Sequence, residues 1–317
     1  MATKELRAAV VGAGRLGSLH AQKYAAHDGV HLAAVVDVDA DRAALVAQSS
    51  GAIALQDFRE LASKVDLVSV ATPSQTHFAV ASWLLEAGID VLVEKPMTAT
   101  LNEARELAAT ADRNGRILQI GHLERFNPAI VHLRSHLRAP RFIECHRLAP
   151  FTERGTDVDV VLDLMTHDLD VIMSLTEARV VGAEAVGVAV LTDTIDVANA
   201  RLRFSDGMIA NLNTSRVAPR RERKIRFFQP DAYISVDYED RRIQIYRKSP
   251  PPPGSVWPII SAEQIELDKG DPLADEIAAF VASVRTRTAP VVAAADGLRA
   301  MEVIEWIKTV MTGAEPS

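Results

Sequence analysis

Asp163 and His167 place a carboxylate and an imidazole four residues apart, in a stretch where Leu162, Met165, Leu169 and Ile172 recur at three- and four-residue steps. That spacing predicts a helix over 163–175 with both groups on one side. A carboxylate that orients an imidazole raises its basicity, which suits removal of a hydroxyl proton as hydride leaves carbon. The competing account is a solvated helix end whose histidine bonds a neighbour one turn back. A second candidate is Lys95, in Glu94-Lys95-Pro96 directly after the apolar run Asp90-Val91-Leu92-Val93. Charged groups at the carboxyl end of a parallel strand lie where open α/β sheets bind ligands.

These groups need a scaffold, and the N-terminal residues supply one. Arg7 to Val11 reads as a strand, Gly12-Ala13-Gly14-Arg15-Leu16-Gly17 as a glycine turn, and the residues after it as a helix. The first glycine permits the turn, the second lets backbone approach a pyrophosphate, and the third lets the helix pack on the strand. A second strand over 31–36 ends in Asp37, 37 − 17 = 20 residues beyond the last glycine, where an acid meets the adenosine ribose hydroxyls. The acid favours NAD over NADP, although Arg42 lies close in sequence.

The alternation continues with strands over 52–55, 65–71, 90–93 and 117–120 and helices over 41–48, 57–63, 78–87 and 101–114. Thr72-Pro73 stops one strand where its carboxyl end opens over a cofactor; His77 either faces that cofactor or helps begin the next helix. A dinucleotide-binding α/β domain over 1–122 is expected, followed by an α+β domain over 123–317. Gly121 to Pro128 marks the hinge. There Arg125 and Asn127 are candidates for substrate contact, or else a surface Arg–Glu pair and an Asn-Pro helix start.

Beyond a helix over 128–137, the ranges 141–147, 180–191, 197–204, 208–215, 224–228, 233–238 and 243–247 look extended. Successive strands without helices between them mean a large, mainly antiparallel sheet. The helix from Asp163 should cover one face, and an uncovered face suggests a homodimer or homotetramer. Helices beginning at Asp271-Pro272 and Asp296 should pack back towards the domain junction.

Composition narrows the function. A net charge of −7 argues against a general nucleic-acid binder. The basic cluster Arg216, Arg220, Arg221, Arg223, Lys224 and Arg226 is therefore a solvated face or a site for a substrate phosphate. The single cysteine, Cys145, excludes an internal disulfide and reads as a packing residue, so redox chemistry must come from a cofactor. No apolar run approaches the ~18 residues of a membrane span, and the apolar start breaks at once into glycines and an arginine. A cytoplasmic location, with no membrane partner, is the default expectation.

The combination of glycine turn, Glu94-Lys95-Pro96, a mainly antiparallel second domain and Asp163-x-x-x-His167 resembles the glucose–fructose oxidoreductase and inositol dehydrogenase family, Gfo/Idh/MocA, over essentially the whole length. The resemblance implies a Rossmann NAD-binding domain and NAD-dependent oxidation of a secondary hydroxyl of a sugar, without a metal. It puts Lys95, Asp163 and His167 at catalytic positions. Gly12, Gly14, Arg15, Leu16, Asp37, Thr72, Pro73, His77, Glu94 and Lys95 match positions that contact NAD. Many members carry paired glycines before the D-x-x-x-H helix, where this chain has Val158-Asp159-Val160-Val161. Residues 121–128 and 154–170 resemble the branch that oxidises the 3-hydroxyl of UDP-N-acetylglucosamine for the 3-amino sugar of some lipid A molecules. That would give Arg125, Asn127, Arg154 and His167 a nucleotide sugar to contact. A free polyol such as an inositol, or a non-catalytic NAD-binding regulator, are the alternatives.

Overall fold

Alanine-rich and β-branched runs that are apolar on both sides suit strands sandwiched between helices. In the computed structural model, which describes residues 5–152 and 158–313, these runs form β1 (Leu6–Val11), β2 (Val30–Val36), β3 (Ile53–Leu55), β4 (Leu67–Val70), β5 (Asp90–Glu94) and β6 (Leu118–Gly121). They pair in parallel in the order β3-β2-β1-β4-β5-β6. The order reverses between β1 and β4, the point where such sheets open a ligand crevice. The crossovers carry α1 (Arg15–Ala25), α2 (Ala40–Ser50), α3 (Ser74–Glu86) and α4 (Leu101–Asn114). Asp39 caps α2 through the Arg42 N–H, and Thr100 with Glu103 forms a capping box on α4. The helix expected over 57–63 is only a 3-10 turn, Phe58–Leu61, capped by Asp57.

The second half opens with α5 (Pro128–Leu133), shorter than the expected helix over 128–137, then β7 (Phe142–Leu148) and α6 (Thr166–Ser174). Seven strands follow: β8 (Val180–Val188), β9 (Val197–Phe204), β10 (Ile209–Ser215), β11 (Glu222–Gln229), β12 (Ala232–Asp237), β13 (Arg242–Ser249) and β14 (Ile259–Glu266). With β7 they form an eight-stranded sheet in the order β14-β13-β12-β11-β7-β10-β9-β8. The β10–β7 pair is parallel and the other pairs are antiparallel. Along β7 the alternation is strict: Ile143, Cys145 and Arg147 are buried, while Phe142, Glu144 and His146 are only partly covered. On that second face Phe142, Phe228, Tyr233 and Tyr246 stack across four strands, with ring centroids 5.3, 5.1 and 5.9 Å apart. Cys145 is buried, which pushes its thiol pKa well up, as suits a packing residue.

Two helices finish the described chain, α7 (Pro272–Thr286) and α8 (Ala294–Met311). The chain forms two compact units. One contains the chain through Phe126 together with Asp271–Met301; the other contains Asn127–Gly270 and the residues from Glu302. In the first unit Ile277, Phe280, Val281 and Val284 of α7 join Val10, Tyr24, Leu32 and Leu67 in one core. Among the described residues no helix is long and apolar enough to cross a membrane.

Candidate active site

The glycine turn shows why each glycine is there. Gly12 sits at φ +97°, and a Cβ on it would lie 2.5 Å from the Ala71 carbonyl oxygen. A Cβ on Gly17 would lie 1.7 Å from the Gly12 oxygen, so only glycine lets α1 rest on the strand end. Around Gly14 a Cβ would meet nothing within 4 Å, and no side chain caps this end of α1. Open space over an uncapped helix N-terminus fits a pyrophosphate. Arg15 and Leu16 are exposed beside it. At the end of β2, Asp37 accepts the Ala13 N–H on Oδ2 at 2.7 Å and the Asp39 N–H on Oδ1 at 2.9 Å. The carboxylate thus braces the glycine turn, and Arg42 Nη1 stands 3.8 Å from it. These residues fit a dinucleotide.

The strand ends beside this cradle are tied to one another. Thr72 and Pro73 follow β4, and His77 on the first turn of α3 is buried with Nδ1 2.8 Å from the Pro96 carbonyl oxygen and Nε2 2.9 Å from that of Thr72. Burial pushes the His77 pKa below its ordinary value, while the two carbonyls act in the opposite direction. The Glu94 side chain turns inward: Oε1 lies 2.9 Å from Nε2 of the buried His20, whose Nδ1 lies 3.1 Å from Ser69 Oγ. Ser69 Oγ is 2.8 Å from the Tyr24 hydroxyl. Glu276 on α7 brings a carboxylate oxygen into the same cluster, where His20, Glu94 and Glu276 each have a ligating atom within 4.8 Å of the others. Lys95 itself is half-buried. His20, Ser69 and Tyr24 were not anticipated from the sequence. The available signal was that Gly17, His20, Ala21 and Tyr24 share one buried helical stripe, where a histidine needs polar partners.

In the second unit the D-x-x-x-H stretch departs from the expected uniform helix. Val161–Met165 forms a π-turn, and α6 starts only at Thr166, whose N–H reaches back to the Val161 oxygen. Single π-turns within helices recur at functional sites. Asp163 and His167 are half-buried, whereas Met165, Thr166, Asp168 and Leu169 are buried. The two candidate groups are thus both partly accessible. Asp159 caps the turn by accepting the Leu162 N–H at 2.9 Å, and Lys308 pairs with it at 2.9 Å. Arg216 donates to the Val158 and Ile195 carbonyls and pairs with buried Asp196 at 3.5 Å. Val160 and Val161 lie in the core.

The remaining candidates divide. Arg125 is buried and pairs with Asp296 at 3.3 Å. Asn127 caps α5 through the Ala129 N–H. Arg154 lies outside the described residues. The basic stretch is largely neutralised in place: Arg226 pairs with Glu144, Lys224 with Asp237 and Arg221 with Glu239.

The comparisons agree with this geometry. A family model described as "Oxidoreductase family, NAD-binding Rossmann fold" matches residues 6–122, and one described as "GFO/IDH/MocA C-terminal domain" matches residues 129–245. The chain belongs to the Gfo/Idh/MocA oxidoreductase family, with NAD as its cofactor. It is 43% identical over 282 residues, 88% of each chain, to a UDP-N-acetylglucosamine 3-dehydrogenase from Acidithiobacillus ferrooxidans. A solved structure of the enzyme of that name from the same organism superimposes with a TM-score of 0.90 at 39% identity, covering 98% of both chains. An inositol 2-dehydrogenase from Corynebacterium glutamicum (strain R) is 32% identical over 193 residues, 57% of each chain.

Proposed function

We propose that the protein oxidises the 3-hydroxyl of UDP-N-acetylglucosamine to the ketone, with NAD as hydride acceptor. The observation that carries this reading is the 43% identity across 88% of both chains with an enzyme of that name. The inositol dehydrogenase match is weaker and shorter. In this reading Gly12, Gly14, Arg15, Leu16, Asp37, Thr72, Pro73 and Lys95 line the cofactor, while the side chains of His77 and Glu94 hold the surrounding backbone. His167 accepts the hydroxyl proton, Lys95 hydrogen-bonds the same oxygen and stabilises developing negative charge, and Asp163 orients the imidazole. Arg125, Asn127 and Arg154 serve the substrate, with Arg125 fixed through Asp296. Bound NAD supplies the acceptor for the hydride that leaves carbon.

The ketone would feed a separate aminotransferase on the route to a lipid A 3-amino sugar, in the cytoplasm. The aromatic row across β7, β11, β12 and β13 supports a homodimer or homotetramer formed through the open sheet face. The test is NADH formation with UDP-N-acetylglucosamine, free N-acetylglucosamine and myo-inositol, with NAD and NADP in parallel. Turnover of the UDP sugar with NAD is expected, and preference for myo-inositol would overturn the substrate assignment. In His167→Ala turnover should fall by ~10²–10⁴ with NAD affinity nearly unchanged.

A further inference from the structure

We propose that His20 is a positioning residue for Lys95, acting through Glu94, with His77 holding the segment from its other side. The inference rests on the catalytic role proposed above for Lys95. Both chain neighbours of Lys95 are tied to an imidazole. The Glu94 carboxylate lies 2.9 Å from His20 Nε2, and the Pro96 carbonyl lies 2.8 Å from His77 Nδ1. The two histidines come from different helices, His20 from α1 and His77 from α3. A lysine on an untethered strand end samples many positions, and a misplacement of ~1 Å can cost ~10²-fold in rate.

The His20 arm extends inward. Its second nitrogen is 3.1 Å from Ser69 Oγ, and Ser69 Oγ is 2.8 Å from the Tyr24 hydroxyl. Tyr24, Ser69 and His20 are all fully buried. Together with Glu94, the groups facing His20 are thus Ser69, Tyr24 beyond it, and Glu276 from α7. Stability alone does not account for such a chain. Replacing a buried ion pair by apolar side chains of similar volume is often neutral or stabilising, and Tyr24 packs in one core with Val10, Leu67 and Leu92. Positioning does account for it, because a satisfied buried network has one geometry. Burial of Tyr24 pushes its pKa up, which keeps the phenol neutral as a hydrogen-bonding partner. A Cβ on Gly121, paired with Glu94 across the sheet, would lie 2.9 Å from the Glu94 carboxylate, so only glycine there leaves room for the glutamate in this position. Helix α1 therefore presents its N-terminus to the glycine turn and reaches the lysine segment through His20.

The experiment compares His20→Leu, His20→Gln, Glu94→Leu and the double variant His20→Leu/Glu94→Leu in the full chain, with NAD and UDP-N-acetylglucosamine, after circular dichroism confirms folding. For His20→Leu, kcat should fall by about 10- to 100-fold while the Kd for NAD and the KM for the sugar stay within about threefold. His20→Gln, which keeps an N–H donor towards Glu94, should recover most of kcat. The double variant leaves neither partner stranded, so it is read instead if His20→Leu does not fold; it should be slowed no more than the single variants. Native kcat in folded His20→Leu or in the double variant overturns the proposal. So does a double loss equal to the product of the single losses, or a loss confined to NAD affinity. Lys95→Met separates the two levels. Full turnover in Lys95→Met overturns the role of the lysine itself, whereas a dead Lys95→Met beside a native-rate His20→Leu removes only the positioning role.

Discussion

Arg147 and Asp168 meet through two parallel bonds, Nε to Oδ2 at 3.0 Å and Nη2 to Oδ1 at 2.8 Å, with both side chains buried. The fork ties β7 to α6 one residue beyond His167. Truncating one partner strands a buried charge, so Arg147→Met should cost about 3–5 kcal/mol of stability, measured by chemical denaturation. The paired change Arg147→Met/Asp168→Leu should recover much of that loss, and equal instability in both variants would contradict this account.

The glycine turn separates folding from binding. A methyl on Gly17 collides with the Gly12 carbonyl, so Gly17→Ala should displace α1 and lower thermal stability. The same methyl on Gly14 meets only open space, so Gly14→Ala should unfold within about 0.5 kcal/mol of the native protein. Its NAD affinity should nonetheless fall about tenfold or more, because the added carbon stands where the pyrophosphate approaches. Calorimetry of NAD binding on both variants checks the pair.

In the proposed NAD site Asp37 would discriminate between cofactors, since its carboxylate would repel a 2′-phosphate; Arg42 is already within 3.8 Å of it. Asp37→Ser should raise the NADP-to-NAD ratio of kcat/KM by about tenfold or more as that arginine becomes available. An unchanged ratio would remove Asp37 from the ribose site.

Asp196 predicts an acid limit. Burial alone would raise its pKa, but the N–H groups of Thr192, Leu191 and Val190 and the Thr192 hydroxyl outweigh burial and hold it well below the usual carboxylate range. A carboxyl depressed in the folded state contributes stability that is present above its unfolded value of about 3.9 and is lost as pH falls towards the folded value. Denaturation of Asp196→Asn should therefore show a shallower decline in stability below about pH 4 than the native chain. The variant should also be less stable at neutral pH, since it loses this advantage and the counter-charge for Arg216.

The readable parts of the molecule were those governed by local rules. Glycine spacing, the acid after β2, and apolar runs between turn residues required only neighbours in sequence. Long-range partners were unreadable. His20 finds Ser69 and Glu94 at separations of 49 and 74 residues, and Arg147 finds Asp168 at 21. Charge along one segment leaves the basic stretch open between a solvated face and a phosphate site, because the acids that neutralise it lie on neighbouring strands. Strand β14 escaped notice because it is an edge strand, exposed along nearly its whole length, with no alternating pattern to mark it. The π-turn left no trace either, since a backbone bond shifted by one residue has no side-chain signature.

The π-turn before α6 is a place where the chain can take up one residue. Its backbone bond spans five residues where an α-helical bond spans four, so a surplus residue is accommodated in the wider turn instead of rotating what precedes it against α6. Deleting one residue from 158–165 other than Asp163, and closing the turn into ordinary helix, would leave the carboxylate and the imidazole three or four positions apart on one helical side. Homologous chains that keep both groups in use are therefore expected to differ here by a residue in length as well as in side chains.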